Sequence, residues 1–376
     1  MLEFRLRQEE NSFQNRRTSR SERYGNCIMK EKKLHLEFVR IFAIFFVLYS
    51  HTGIEAKFHY QIAGELSSEL ISFVLLCISM TCNALFFMVT GAVLLHKEES
   101  LKEIYHRRIL KTVVIILLFS LFQYTYYYLT MPEMGFDLPF FFKVVYSTQL
   151  ISQYWFLYAY LALLIMLPFL RSLAREMTRV QFVYMLSLYF IMDGILPVVE
   201  YFWENSSINI YIPLLEGYVF LPLTGYYIEH KAKDDFADKR VVFALNIAAV
   251  AVLVIDVLYA RHRYYADGEI ASTLNGMMLL MALAVFVDFR FLCAHVRLPI
   301  WLQKTVLFLG SGAFTVYLLN PQLTDLCYGL YEWLEPYVKW VPAMIIWLSA
   351  AICVGSVLAF LWRILKRVVT SLLFKK

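Results

Sequence analysis

One apolar stretch, HLEFVRIFAIFFVLYSH over residues 35–51, carries an arginine near its start, Arg40, and a histidine at its end, His51. Between Leu36 and Ser50 the stretch is almost entirely Leu, Ile, Val, Phe and Ala, which predicts a membrane-spanning helix. Eleven positions separate Arg40 from His51. On a helix that is three turns plus about 20°, so the two share one face, roughly 16 Å apart along the axis. An ionisable side chain inside a span costs roughly 2.5–3.5 kcal/mol on insertion scales, so it needs a reason. Arg40 alone has an ordinary one, because its guanidinium can reach the head groups, helped by an ion pair with Glu37 three residues earlier. His51 alone has another, since a histidine at a helix end can simply be wetted at the interface. Together they make a fixed cation at one membrane surface and, toward the other, an imidazole able to accept or donate a proton. That pairing suits a reaction whose donor enters from one side and whose acceptor waits on the other.

A second basic group, Arg107, Arg108 and Lys111 in YHRRILK, is placed to meet a phosphate-bearing ligand, because arginine binds phosphate through two parallel N–H groups. The same residues also serve as an ordinary basic flank of a span. The other polar residues in or near apolar runs are Asn83, Gln123, Asp193, Glu216, Asp256, Asn275, Asp288 and Asn320. They read mainly as interhelical hydrogen-bond partners, and no Ser-His-Asp order can be proposed among them. The tyrosine groups at 124–128 and 154–160 fit interface belts and packing, although sugar stacking would use the same side chains.

The elements that must position these residues follow from composition. The chain has 376 residues, 60% hydrophobic and 17% charged, with a mean hydropathy of +0.57 and a net charge of +5. It is too apolar for a soluble domain and long enough for many spans, so the expected fold is all-α: a polytopic integral membrane bundle of about ten transmembrane helices. After the first helix, candidates fall at about 70–95, 109–131, 152–171, 180–199, 211–229, 241–260, 271–289, 306–327 and 341–362. Residues 1–35, polar and basic with no apolar period, read as a disordered cytoplasmic tail, and 36–370 as one transmembrane domain. Met29 would also serve as a start, since MKEKKLHLEF is a sufficient basic flank. No cleavable signal peptide is expected.

With both termini taken as cytoplasmic, 29 of the 35 Lys and Arg residues fall on the cytoplasmic side. Only Lys57, Lys143, Arg261, Arg263 and Lys339 fall outside, with Arg40 within a span. That asymmetry predicts the orientation, with Arg40 toward the inside and His51 near the outer surface. The six cysteines are scattered without CxxC or Cys/His spacing, so neither a disulfide framework nor a metal site is expected. The charge placement speaks for a bilayer and not for a nucleic-acid partner. No loop is long enough for another domain, there is no short repeat or Gly-rich phosphate loop, and nothing specifies an oligomeric state.

The stretch LEFVRIFAIFFVLYSH resembles the first helix of the membrane acyltransferase-3 family, whose hallmark is an Arg, ten residues and a His, met here by Arg40 and His51. Similar in the same order are FFMVTGAVLL at 86–95, HRRILK at 106–111, WFLYAYLALLIMLPFL at 155–170, LPLTGYYIEH at 221–230 and SGAFTVYLLNP at 311–321. The chain departs from the family at Asn320, often a His there, and at Thr90, often a Ser. No soluble esterase-like domain is expected, which implies the stand-alone form.

The resemblance implies a membrane-bound O-acyltransferase in the plasma or inner membrane. It would use acetyl-CoA as donor, with no metal, and an extracytoplasmic glycan as acceptor: a cell-surface polysaccharide, an exopolysaccharide or a lipid-linked glycan. On that reading Arg40, Arg107, Arg108 and Lys111 bind the coenzyme A thioester, and His51 is catalytic, as general base or as acyl carrier. The alternative from another class is a transporter, flippase or export component for surface polysaccharide, which buried charges in a ten-span bundle would also fit. A sensor or scaffold has little support, since no cytoplasmic signalling domain is present.

Overall fold

A backbone surrounded by lipid has no water to bond, so a run that crosses must close its own hydrogen bonds as helix. The computed structural model describes residues 33–52, 66–130, 137–147, 152–203, 217–232, 234–268 and 274–373, and every regular element among them is helical. In order these are α1 (Leu34–His51), α2 (Leu66–Ser79), α3 (Thr81–Leu94), α4 (Leu101–Thr130), the short α5 (Leu138–Ser147), α6 (Trp155–Glu176) and α7 (Arg179–Val199). There follow α8 (Gly217–Tyr226), α9 (Lys239–Asp267), α10 (Asn275–His295), α11 (Ile300–Leu318), α12 (Asn320–Val338) and α13 (Trp340–Leu373).

Among the described residues eight stretches are long and apolar enough to cross a membrane, α2 and α3 counting as one. The bent pair α11–α12 makes a ninth. The span expected at 211–229 is represented by α8 and the π-helical turn Tyr227–Lys231 that follows it, residues 211–216 lying outside the described residues. The protein is thus a multi-pass membrane bundle, consistent with the expected ten spans. The proposed tail up to residue 32, Met29 and Lys57 also lie outside the described residues.

The bundle closes around α1, which packs against α2, α3, α10, α11 and α13. Its inward residues Val39, Ala43, Ile44 and Leu48 are fully buried, so the helix carrying Arg40 and His51 is an axle inside protein and not a lipid-facing rod. Close approach of backbones fixes the neighbours. A Cβ built on Gly91 of α3 would lie 1.8 Å from the Pro222 carbonyl oxygen of α8, and one on Gly225 of α8 would lie 1.9 Å from that of Met88. Small residues allow this contact, which gives dispersion attraction where lipid offers no hydrophobic drive between helices.

One expected element differs. The run 306–327, read as a single straight span, breaks at Leu319, and α12 leaves α11 at 106°. Pro321 is the reason: it offers no N–H to the preceding turn and its ring disfavours helical backbone at the residue before it, so it starts a helix better than it continues one. At the other end of the bundle α13 runs for 34 residues. At about 1.5 Å per residue it is some 51 Å long, well beyond the roughly 30 Å of a hydrocarbon core.

Candidate active site

The cavity that concerns α1 has a volume of about 550 Å³ and lies along the α1 face that carries Arg40. Five basic side chains line it: Arg40, Arg107 and Arg108, Lys111, and Arg363 from the overlong end of α13. Apolar and aromatic residues, among them Phe86, Ile115, Phe156 and Phe314, form much of its walls, with Asn83, Thr90 and Ser311 as polar points. The volume falls within the about 300–1,000 Å³ typical of small-molecule sites.

Arg40 donates from Nη1 to Glu37 Oε1 at 2.5 Å, the i,i+3 pair the sequence suggested, and lines the cavity. Glu37 is buried and its second oxygen, Oε2, has no partner. Room for it comes from Gly310 of α11, where a Cβ would lie 2.5 Å from that oxygen.

Arg107 and Arg108 ride on a π-helical turn, Tyr105–Ile109, which widens the start of α4 just after a capping box formed by Ser100 and Glu103. Such a turn is common at functional sites because it changes where side chains point relative to a regular helix. Arg108 grips Glu99 through two bonds, Nε to Oε2 at 2.8 Å and Nη2 to Oε1 at 2.6 Å. Arg171 of α6 donates to the same carboxylate at 2.8 Å and to the Leu94 carbonyl at 3.1 and 3.2 Å. The Arg108 guanidinium, seconded by Arg171, therefore pulls the Glu99 carboxyl down to about 2. This knot ties the end of α3 and the starts of the cavity's α4 wall to α6, and it leaves three of the five Arg108 N–H groups outside the Glu99 grip. Arg107 is largely exposed and pairs loosely with Glu103 at 3.5 Å.

Arg363 donates to Ser311 Oγ at 3.1 Å and to the Ala359 carbonyl at 3.0 Å, while its Nη2 is buried without a partner. By sequence it belonged to the basic flank after the last span; the length of α13 was the signal that could have turned it inward. Glu99 and Arg171 were likewise not singled out.

His51 closes α1 at the opposite end and is half-buried. It does not line the cavity, which reaches Val47, one helical turn below it. Phe156 and Tyr317 also line the cavity, edge to face with ring centroids 5.7 Å apart. Tyr317 is anchored by a hydrogen bond from its hydroxyl to the Gln153 carbonyl at 2.5 Å, and Tyr154 by one to Leu318 at 3.0 Å. The amides of Gln123 and Gln322 exchange two hydrogen bonds, at 3.1 and 2.7 Å. His51 Nδ1 meets the side-chain amide of Asn320, the first residue of α12, so the break at Leu319 is what delivers Asn320 to the histidine. Asn320 is 1% exposed, and its Oδ1 has no partner.

Other polar residues lie away from this line. Asp256 caps the approach to α10 by accepting from the Leu274 N–H at 2.9 Å, and Asp288 accepts from Asn246 at 2.8 Å. Glu229 gathers Lys33 at 2.6 Å, His35 at 2.9 Å and Arg290 at 4.0 Å, pinning the start of α1. Asp193 lies on the π-helical turn Ile191–Ile195. Glu216 and the side chain of Asn275 lie outside the described residues. Tyr124, Tyr154 and Tyr158 spend their hydroxyls on backbone carbonyls, as packing residues do, whereas Tyr160 lines the cavity. Among the described residues no group of three or more His, Cys, Asp or Glu side chains could hold a metal ion.

The arrangement can hold an anionic ligand among the five cations, in a cavity that continues along α1 as far as Val47. Compared with known proteins, residues 34–363 match a family model described as an acyltransferase domain, that of the third acyltransferase family. No curated protein and no solved structure matches the chain.

Proposed function

Since the chain belongs to the membrane acyltransferase-3 family, and its domain supports acyl transfer to glycans, we propose that it takes an acetyl group from acetyl-CoA on the cytoplasmic side and passes it to a glycan hydroxyl on the far side of the cell membrane. The observation that carries this reading is a cavity that holds five cations at the Arg40 end and follows α1 to one turn below His51. A nucleotide with several phosphates meets Arg40, Arg107, Arg108, Lys111 and Arg363, each able to give charge-assisted hydrogen bonds. The roughly 16 Å from Arg40 to His51 is then the distance the pantetheine arm spans, beside apolar walls that shed water from it.

At the upper end His51 removes the proton from the sugar hydroxyl as the oxygen adds to the thioester carbonyl, or takes the acyl group itself before handing it on; an unprotonated ring nitrogen serves both. On this reading Phe156 and Tyr317 move aside for the thioester and otherwise separate it from the far side. The bonds from Tyr317 to Gln153 and from Tyr154 to Leu318 tie that constriction to the loop before α6 and the α11–α12 break.

The test is mass spectrometry of surface glycans from cells lacking the protein and cells carrying wild type or His51→Ala. The expected result is glycan of normal amount missing one acetyl ester per modified sugar, both without the protein and with His51→Ala at normal protein level. Loss of the glycan itself would point to export, and full acetylation by His51→Ala would remove the proposed chemistry.

A further inference from the structure

We propose that Asn320 is a further catalytic residue of this site: its side-chain amide donates a hydrogen bond to the oxyanion formed when the sugar hydroxyl adds to the acyl carbonyl beside His51. The proposal rests on the acyl-transfer reading above.

Three observations carry it. Asn320 is buried to 1% exposure, yet its Oδ1 has no hydrogen-bond partner. An orphaned buried acceptor is costly, and a purely structural asparagine has no reason to bear that cost. The other end of the same amide meets His51 Nδ1. Amide oxygen and nitrogen exchange places by a half-turn of the group, and the hydrogen-bond network decides between the two settings. With nitrogen toward His51, Nδ1 must carry the lone pair, so the ring proton sits on Nε2 and the histidine cannot act as a base there. With oxygen toward His51, Oδ1 accepts from Nδ1–H, Nε2 is left bare, and the amide N–H groups take the orphaned position. The second setting cures the unpaired oxygen and prepares the base in one move. It lacks only an acceptor for the freed N–H, which the reacting carbonyl oxygen supplies.

The third observation is the placement of Asn320 at the start of the 19-residue α12, straight after the 106° bend. A helix start carries partial positive charge, roughly half an elementary charge, which favours an anion there. Donors fixed where negative charge develops commonly give the largest single contribution to lowering a barrier.

The step balances as follows. His51 Nε2 takes the hydroxyl proton; the sugar oxygen bonds to the carbonyl carbon; the C=O π pair moves to oxygen, where Asn320 Nδ2–H holds it. On collapse the C=O re-forms, the C–S bond breaks, and the thiolate leaves with the proton from the imidazolium. The products are the sugar ester and free coenzyme A.

The test uses full-length protein in native membranes, acetyl-CoA as donor and the cell's own surface-glycan fraction as acceptor. It compares wild type, Asn320→Ala and Asn320→Asp, with ligand-dependent thermal shift by coenzyme A as a control for folding. Aspartate still accepts from His51 Nδ1–H but cannot donate. Both variants are expected to lose about 100-fold or more in kcat, with KM for acetyl-CoA within threefold of wild type. For Asn320→Asp the acid side of the rate profile, where His51 must lose its proton before it can act as a base, should also shift upward in pH, as a carboxylate beside the imidazole favours its protonated form. Asn320→Asp within threefold of wild type in kcat would overturn the assignment, because orienting His51 would then suffice. Failure of both variants to bind coenzyme A would also overturn it, assigning Asn320 to the fold. Absence of transfer by wild type would overturn the parent reading, an outcome distinct from either.

Discussion

Replacing Glu99 with glutamine should loosen the knot that seats Arg108. The carboxylate receives three charge-assisted bonds, at 2.8, 2.6 and 2.8 Å, two from Arg108 and one from Arg171. Its fall from 4.5 to about 2 corresponds to roughly 3 kcal/mol. Glu99 lies at the rim of the bundle, where water screens the pair, which brings the expected loss at neutral pH to about 1–2 kcal/mol. The sign in pH follows from linkage. The folded value lies below the unfolded one, so the stabilisation is complete above 4.5 and is lost as pH falls toward about 2, with more than half gone by about pH 3. The assay is the thermal midpoint of detergent-purified wild type and Glu99→Gln protein at pH 7, 5 and 3. Wild type should be higher by a few degrees at pH 7, and the gap should narrow steadily below pH 5. A gap that is absent at pH 7, or unchanged down to pH 3, would refute the reasoning.

Arg363→Gln should weaken coenzyme A binding by about tenfold, the equivalent of about 1.4 kcal/mol, and Arg40→Gln by at least as much because it also strands the buried Glu37. Calorimetric titration checks both, and unchanged affinity would remove these two arginines from the donor site. Gly225→Ala should abolish monodisperse protein in size-exclusion chromatography, since its Cβ would lie 1.9 Å from the Met88 carbonyl oxygen. Gly329→Ala on α12, whose Cβ meets nothing within 4 Å, should be tolerated or should stabilise by about 0.5–1 kcal/mol.

Helicity, the approximate spans and the shared face of α1 were legible because each depends on local pattern: apolar length for a span, and 3.6-residue periodicity for the face. Arg40 and the Arg107–Lys111 group could be found for the same reason, as charges standing against an apolar background. Arg363 was hidden because a basic residue after a last span looks like every other flank, and only the true length of α13 carries it into the cavity. Glu99 and Arg171 are 72 positions apart, and nothing local joins them. The contact of Asn320 with His51 spans 269 positions and depends on the bend at Leu319. Pro321 sits inside an apolar run long enough for a single span, and apolar length by itself does not register a bend.

On the proposed reading, the ring pair of Phe156 and Tyr317 has an electrical consequence. A passage lined by five cations and open at both faces would conduct small anions and dissipate the potential on which a cell membrane depends. Two packed aromatic rings offer an ion no hydrated path, so on that reading the donor itself must fill the gap as it opens it.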